Sequence, residues 1–107
     1  MLIDTHAHLD SDAFDADRSA IIARALAAGV ERMIAVATHA ASAEQCLALA
    51  AEHSQVYATV GIHPNYPQQL YDAEWERIVK LAQEPKVVAL GETGLDRHWN
   101  DTPFATQ

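Results

Sequence analysis

The sequence predicts an α/β fold built from parallel (β/α) units. Three observations carry that expectation. Four short runs rich in Val, Ile or Leu recur along the 107 residues, amphipathic helical patterns separate them, and the runs start about 24 to 31 residues apart. That interval holds a strand, a crossover helix and two loops, and such alternation implies a parallel sheet with right-handed connections. No linker, low-complexity segment or second composition regime interrupts the rhythm, so residues 1–107 read as one unit.

The expected strands are residues 2–4, 32–36, 56–60 and 87–90, each short and apolar in the manner of strands buried on both faces. Between the first two, Ile21, Ile22, Ala25 and Leu26 fall on one helical face, and Gly29 stands where a C-terminal cap belongs. A second helix opens at Ser42 with Gln45 three places on, the pattern of a capping box, and presents Ala43, Cys46, Leu47 and Ala50 as its apolar face. The third begins near Asp72, carries Glu74 and Glu76 in its positive first turn, and aligns Trp75, Ile78, Val79 and Ala82 before Pro85 stops it. After the fourth strand, Thr102 and Pro103 read as an N-cap followed by proline at the first helical position.

Composition narrows the function classes. Seven Lys and Arg against fifteen Asp and Glu give a net charge of −8, which argues against a broad electrostatic footprint on nucleic acid but leaves open a nucleic-acid substrate held through bound metal. Cys46 is the single cysteine, so no disulfide forms within the chain and a reducing, cytoplasmic setting is expected. The most apolar stretch, residues 21–30, is interrupted by Arg24 and is far shorter than the roughly 18 residues of a membrane span. No signal peptide is expected either.

Residues able to do chemistry gather at strand ends. The first strand runs into Thr5-His6-Ala7-His8, and the period of two along a strand points His6 and His8 the same way, bringing two imidazoles to one ion. Two histidines in a polar loop are the competing reading. Asp4, in phase with both, is a candidate for fixing a histidine tautomer. The third strand runs into Gly61-Ile62-His63-Pro64, a binding loop or a simple turn. The fourth runs into Gly91-Glu92-Thr93-Gly94-Leu95-Asp96, where Glu92 follows Val88 and Leu90 in strand phase and needs a cation or a partner; Asp96 reads mainly as a loop hydrogen-bonder.

Three of four strands thus deliver His or Glu at the carboxyl end, the face on which parallel α/β barrels build active sites. Two histidines and one carboxylate with open positions suit Zn²⁺, Mn²⁺ or Fe²⁺ better than an all-oxygen Mg²⁺ cage, and such an ion activates water and polarises an ester or phosphoryl oxygen. His39 reads as a loop residue entering a helix, His53 as a helix C-terminal residue and Cys46 as core. Arg97, His98 and Trp99 are candidates for a substrate groove, Arg97 meeting a phosphate and Trp99 a base.

Taken in order, Ile3-Asp4-Thr5-His6-Ala7-His8-Leu9-Asp10, Gly61-Ile62-His63-Pro64 and Ala89-Leu90-Gly91-Glu92-Thr93-Gly94-Leu95-Asp96 resemble the successive signatures of the TatD-type metal-dependent DNases. The resemblance covers the whole chain but only the N-terminal portion of the family. It implies the N-terminal half of an amidohydrolase-like TIM-type (β/α)8 barrel with one or two divalent ions, Mg²⁺, Mn²⁺ and Zn²⁺ all open. It further implies that His6 and His8 bind one ion, that Glu92 is a shared or bridging ligand, and that His63 lies near the substrate phosphate. The implied activity is phosphodiester hydrolysis, often as a 3′-to-5′ exonuclease on DNA. Two features depart from the family: Arg97-His98 stands where aromatic residues are usual, and the two further histidines and the aspartate that the family takes from later strands have no counterpart in the 107 residues. Two other readings remain: an amidohydrolase-like reaction on an amide, lactone or phosphotriester, and a non-catalytic half-barrel that binds metal or a partner. Four strands leave two parallel edges open, so self-association is expected.

Overall fold

The computed structural model describes residues 1–67 and 71–107. Its strands are β1 (Leu2–Ala7), β2 (Val30–Val36), β3 (Val56–Val60) and β4 (Val87–Leu90). They form one parallel sheet in the order β1-β2-β3-β4, as the βα alternation predicts. β1 runs three residues beyond its expected end and takes in Thr5, His6 and Ala7. Its pairing with β2 slips between Leu2 and Ile3 and again between Asp4 and Ala7, the second irregularity spanning Thr5 and His6.

The helices are α1 (Arg18–Ala27), α2 (Ala40–Glu52) and α3 (Tyr71–Leu81), with a single 3₁₀ turn at Asp12–Phe14. α1 ends as the sequence predicts: Gly29 takes a φ of 94°, and its N–H donates to the Leu26 carbonyl. α2 begins two residues earlier than expected and does not use Ser42 as its cap. The Ser42 hydroxyl instead donates to Asp10 Oδ2 and accepts the Thr38 N–H, while His39 at the N-cap position makes no capping bond. The first N–H of the helix, that of Ala40, is satisfied by Glu74 Oε2 of α3 at 2.8 Å. A capping pattern in sequence gives way here to a carboxylate brought in from another helix, which places negative charge at the positive end of α2.

The core lies between α2 and the centre of the sheet. Met33 and Ala35 of β2 and Val56, Ala58 and Val60 of β3 share one buried cluster with Ala43, Cys46 and Ala50 of α2, Ile22 of α1 and Ile78 of α3. Burial on both faces does not extend to the sheet margins: β1 is exposed along nearly its whole length, and so is β4 beyond Val87. The uncovered stretches are β1 and most of β4, whereas β3 is buried on both faces at Ala58, Thr59 and Val60. The radius of gyration, 14.4 Å, exceeds the roughly 13 Å expected of a closed globule of about this length, as an open arc should.

Two expectations about helices need correction. In α3, Ile78 is buried, but Trp75 and Val79 are about half exposed because that helix turns only one narrow edge to the core. Thr102 and Pro103 start no helix: residues 104–106 form a single turn closed by Thr106 N–H on the Pro103 carbonyl. The Thr102 hydroxyl, which would have capped a helix, is buried and donates to the Tyr66 carbonyl. Among the described residues, no helix is long and apolar enough to cross a membrane.

Candidate functional site

In a flat sheet, β1 and β4 would stand about 14 Å apart, three strand spacings. At the carboxyl end of this sheet, His6 Nε2 from β1 lies 3.0 Å from Glu92 Oε1, two residues past β4. Curvature of the arc, together with the reach of the two side chains, closes the gap. One ligand atom each from His6, His8 and Glu92 lies within 4.8 Å of the others. Donor atoms about 2.1 Å from one ion at tetrahedral angles stand about 3.4 Å apart, so two imidazole nitrogens and a carboxylate gathered this closely are the right donor set for a divalent cation once the side chains draw in around it.

The residues around the cluster fix how each ligand is presented. His8 Nδ1 lies 2.9 Å from the Val36 carbonyl, an acceptor only, so Nδ1 carries the proton and Nε2 keeps a free lone pair. Asp4 does not perform this service for either histidine; its Oδ1 accepts the His6 backbone N–H at 3.1 Å, because the irregularity in β1 turns the main chain rather than the ring toward it. The loop after His8 is clamped from two sides. Arg18 donates to the carbonyls of Leu9, Asp10 and Ser11, and Asp10 takes the Ser42 hydroxyl.

Glu92 is held in a conformation that few residues adopt, with φ at 54°. A non-glycine residue there costs about 1–3 kcal/mol, and such strain gathers at functional sites. What holds it is a close crossing of the β3 and β4 ends. Gly91 donates its N–H to the Val60 carbonyl, and a Cβ on Gly61 would meet the Gly91 oxygen at 1.7 Å. Gly61 therefore serves by close approach, and Gly94, at φ 113°, by its backbone conformation.

His63 joins the cluster from β3, its Nε2 lying 3.5 Å from Glu92 Oε2. The Asn65 N–H donates to His63 Nδ1 at 3.1 Å, which leaves the ring proton on Nε2 and turned to the carboxylate side. Asn65 also ties this loop to the one after β4. Its Nδ2 donates to Asp96 Oδ2 at 2.6 Å and its Oδ1 accepts the Thr102 N–H. The N–H groups of His98 and Trp99 complete the set on Asp96 and hold its carboxyl below the ordinary carboxylate range. Asp96 is thus a loop-builder.

Arg97 is not brought to the cluster; its guanidinium lies over the Phe104 ring, 3.7 Å from the centroid. His39 stacks on Tyr66, His53 ends α2, and Cys46 is buried. Burial and the neighbouring Asp10 carboxylate push the Cys46 thiol up to about 12, so it is no nucleophile. Sequence reasoning missed Arg18, Asn65, the Val36 carbonyl and the tie from Ser42 to Asp10. Nothing local marks them, since each acts on a partner distant in sequence or through a backbone atom.

The family model described as TatD related DNase matches residues 3–107. The chain is 40% identical over 107 residues to a protein of Enterobacter lignolyticus named 3′-5′ ssDNA/RNA exonuclease TatD, covering 99% of this chain and 41% of that one. It is 37% identical over 103 residues to the uncharacterized metal-dependent hydrolase YabD of Bacillus subtilis, covering 96% and 40%. The crystal structure of YjjV, a TatD homologue from Escherichia coli K12, superposes with a TM-score of 0.85 at 38% identity, over 97% of this chain and 41% of that one. The chain therefore spans about two-fifths of the length of the relatives it matches.

Proposed function

Because the chain belongs to the TatD related DNase family, we propose that residues 1–107 are one unit, the N-terminal half of a (β/α)8 metal-dependent hydrolase that cleaves phosphodiester bonds in DNA from the 3′ end. The observation that carries this reading is the convergence of His6, His8 and Glu92 from two strands that are not neighbours in the sheet. His6 and His8 would hold one divalent ion, Mg²⁺, Mn²⁺ or Zn²⁺, together with Glu92, the ligand that a second ion would share. An ion held there supplies Lewis acidity at a phosphoryl oxygen and activation of water.

The remaining work falls to the chain's own groups. The Val36 carbonyl keeps the His8 Nε2 lone pair directed into the site, and the β3–β4 crossing keeps Glu92 from swinging out. His63, with its proton on Nε2, donates to an oxygen of the substrate phosphate. Arg97 meets a backbone phosphate of the strand; its contact with Phe104, of a kind worth about 0.5–1 kcal/mol when exposed, is weak enough to be exchanged for that one. The unpaired edges of β1 and β4 suit pairing with a second copy, which sedimentation of the 107-residue chain should show as dimers or larger species. The single buried thiol suits a reducing, cytoplasmic setting.

Calorimetric titration with Mn²⁺ tests the metal site. A His6→Ala/His8→Ala double variant should lose at least about tenfold in affinity, and wild-type affinity should fall at acid pH because imidazole must be neutral to coordinate. In a chain that also carries the remaining strands, Glu92→Gln should abolish hydrolysis while leaving the fold intact. Equal Mn²⁺ binding by the double variant, or an undiminished rate with glutamine at 92, overturns the proposal.

A further inference from the structure

A groove of about 450 Å³ opens beside His63, lined by Thr38, Asn65, Tyr66, Pro67, Trp99 and Asp101. Its two aromatic walls come from different loops, and each has a histidine ring against it. Tyr66 is backed by the His39 ring, stacked at 4.8 Å and 14°. Trp99, 59% exposed, meets the His98 ring edge-on at 4.7 Å. Asp96 joins the two walls: one carboxylate oxygen accepts both the Asn65 side-chain amide, next to Tyr66, and the Trp99 backbone N–H. An aromatic face already backed, as Tyr66 is, binds a flat ring with little further loss of freedom.

The polar groups of the groove say which kind of ring. Asn65 has both ends of its amide engaged within the protein, and the Thr38 hydroxyl is paired with His39 Nδ1. Asp101 is exposed and, among the described residues, takes no hydrogen bond or ion pair. A carboxylate there repels phosphate and accepts hydrogen bonds without donating any. The groove is therefore unsuited to the anionic backbone and suited to a neutral aromatic ring bearing an N–H₂ group. His63, which also lines the groove, lies 3.5 Å from Glu92, so a ring seated here lies beside the His6, His8 and Glu92 cluster.

We infer that the Tyr66–Trp99 groove is the subsite for one nucleobase of the substrate strand, and that Asp101 makes it prefer cytosine, adenine and guanine over thymine and uracil. The inference rests on the nuclease reading for its biological meaning, but the recognition itself needs no metal. Stacking on an aromatic side chain tolerates every base; discrimination comes from the exocyclic amine, which Asp101 can accept freely, whereas the one donor of thymine and uracil, N3–H, sits between two carbonyl oxygens that repel a carboxylate.

The test uses nucleosides, with no phosphate, in the presence of EDTA, and follows Trp99 fluorescence in a Trp75→Phe background. Deoxycytidine and deoxyadenosine should quench Trp99 with millimolar dissociation constants, thymidine about fivefold more weakly, and deoxyribose not at all. Trp99→Phe, read by chemical-shift changes on added deoxycytidine, should keep the binding, and Trp99→Ala should weaken it about tenfold. Asp101→Asn should bring thymidine level with deoxycytidine, because an amide both donates and accepts. Absence of quenching by every nucleoside overturns the subsite, and equal wild-type response to thymidine and deoxycytidine overturns the role of Asp101. A parallel Mn²⁺ titration separates the two proposals: nucleoside binding without Mn²⁺ binding keeps the groove and removes the hydrolase, and the reverse does the opposite.

Discussion

Strands β3 and β4 lie side by side in one parallel sheet and draw on the same apolar residues, yet Val56, Ala58 and Val60 are fully buried whereas Val88 and Leu90 are 50% and 69% exposed. The first strand is clasped by α2, with neighbours on both sides; the second is an edge with one face uncovered. Apolar character therefore marks what a strand needs covered, and the position in the sheet decides whether it is. Stability sits in the middle of the arc, between β2, β3 and α2. Chemistry sits at its rim: His6 and Glu92 come from the two edge strands, and only His63 comes from the well-packed centre. The rim can carry a strained residue such as Glu92 because the β3 end, anchored in the core, holds it.

That dependence is open to a severe test at Gly61, where an added Cβ would sit 1.7 Å from the Gly91 oxygen. Backbone cannot yield as a side chain can, so Gly61→Ala is expected to cost more than about 4 kcal/mol, or to unfold the chain outright. Gly29→Ala meets no atom within 4 Å and pays only for its positive φ, about 1 kcal/mol. Urea denaturation of the pair measures the difference, and equal midpoints would show that the β3 and β4 ends are not locked together.

Centre and edge can next be set against each other directly. Val60→Ala should destabilise by about 2 kcal/mol through lost burial and a residual cavity, while Leu90→Ala should change stability by less than about 0.5 kcal/mol. A large cost at Leu90 would mean that the inner face is covered in solution, by a second copy or by further chain, and sedimentation of the same samples would say whether copies are responsible.

The core also has a pH signature. The Cys46 thiol is raised from 9.0 to about 12 by burial and by Asp10. A folded value above the unfolded one means that its contribution is whole below pH 9 and is lost as pH rises toward 12, at a slope approaching about 1.4 kcal/mol per pH unit. Cys46→Ala should flatten the alkaline side of the stability profile relative to wild type. Parallel profiles would place the thiol in contact with water.

The smallest expected effect lies at the rim. Asp96 is held below the ordinary carboxylate range chiefly by the His98 N–H, then by that of Trp99. A lowered folded value means the bonds are intact at neutral pH and are lost as pH falls through it. Amide chemical shifts of His98 and Trp99 should move together in that acid range and stay still in Asp96→Asn, with little change in the melting temperature. Independent shifts would mean that Asp96 does not brace the loop.

The order of strands and helices, the parallel sheet, the apolar faces of α1 and α2 and the cap at Gly29 were all determined by the sequence alone, because each depends on local periodicity or on the backbone freedom of one residue. The period of two sufficed to pair His6 with His8, and strand phase sufficed to send Glu92 toward the site. Tertiary structure decided what periodicity cannot carry. The Ser42 hydroxyl went to Asp10 and Glu74 capped α2 in its place, since a capping pattern specifies a local option that a better-placed partner can displace. Thr102 turned to Tyr66 and no helix followed it. Arg97 found Phe104 rather than the cluster. The distance from His6 to Glu92 depends on the curvature of four strands together, and the positive φ of Glu92 on Gly61 and Gly91 meeting across two of them. Apart from Arg97 and Phe104, which are neighbours in one loop, each of these is a contact between residues about 30 or more apart in sequence, or a backbone conformation that such a contact imposes, and no short window along the chain contains both partners.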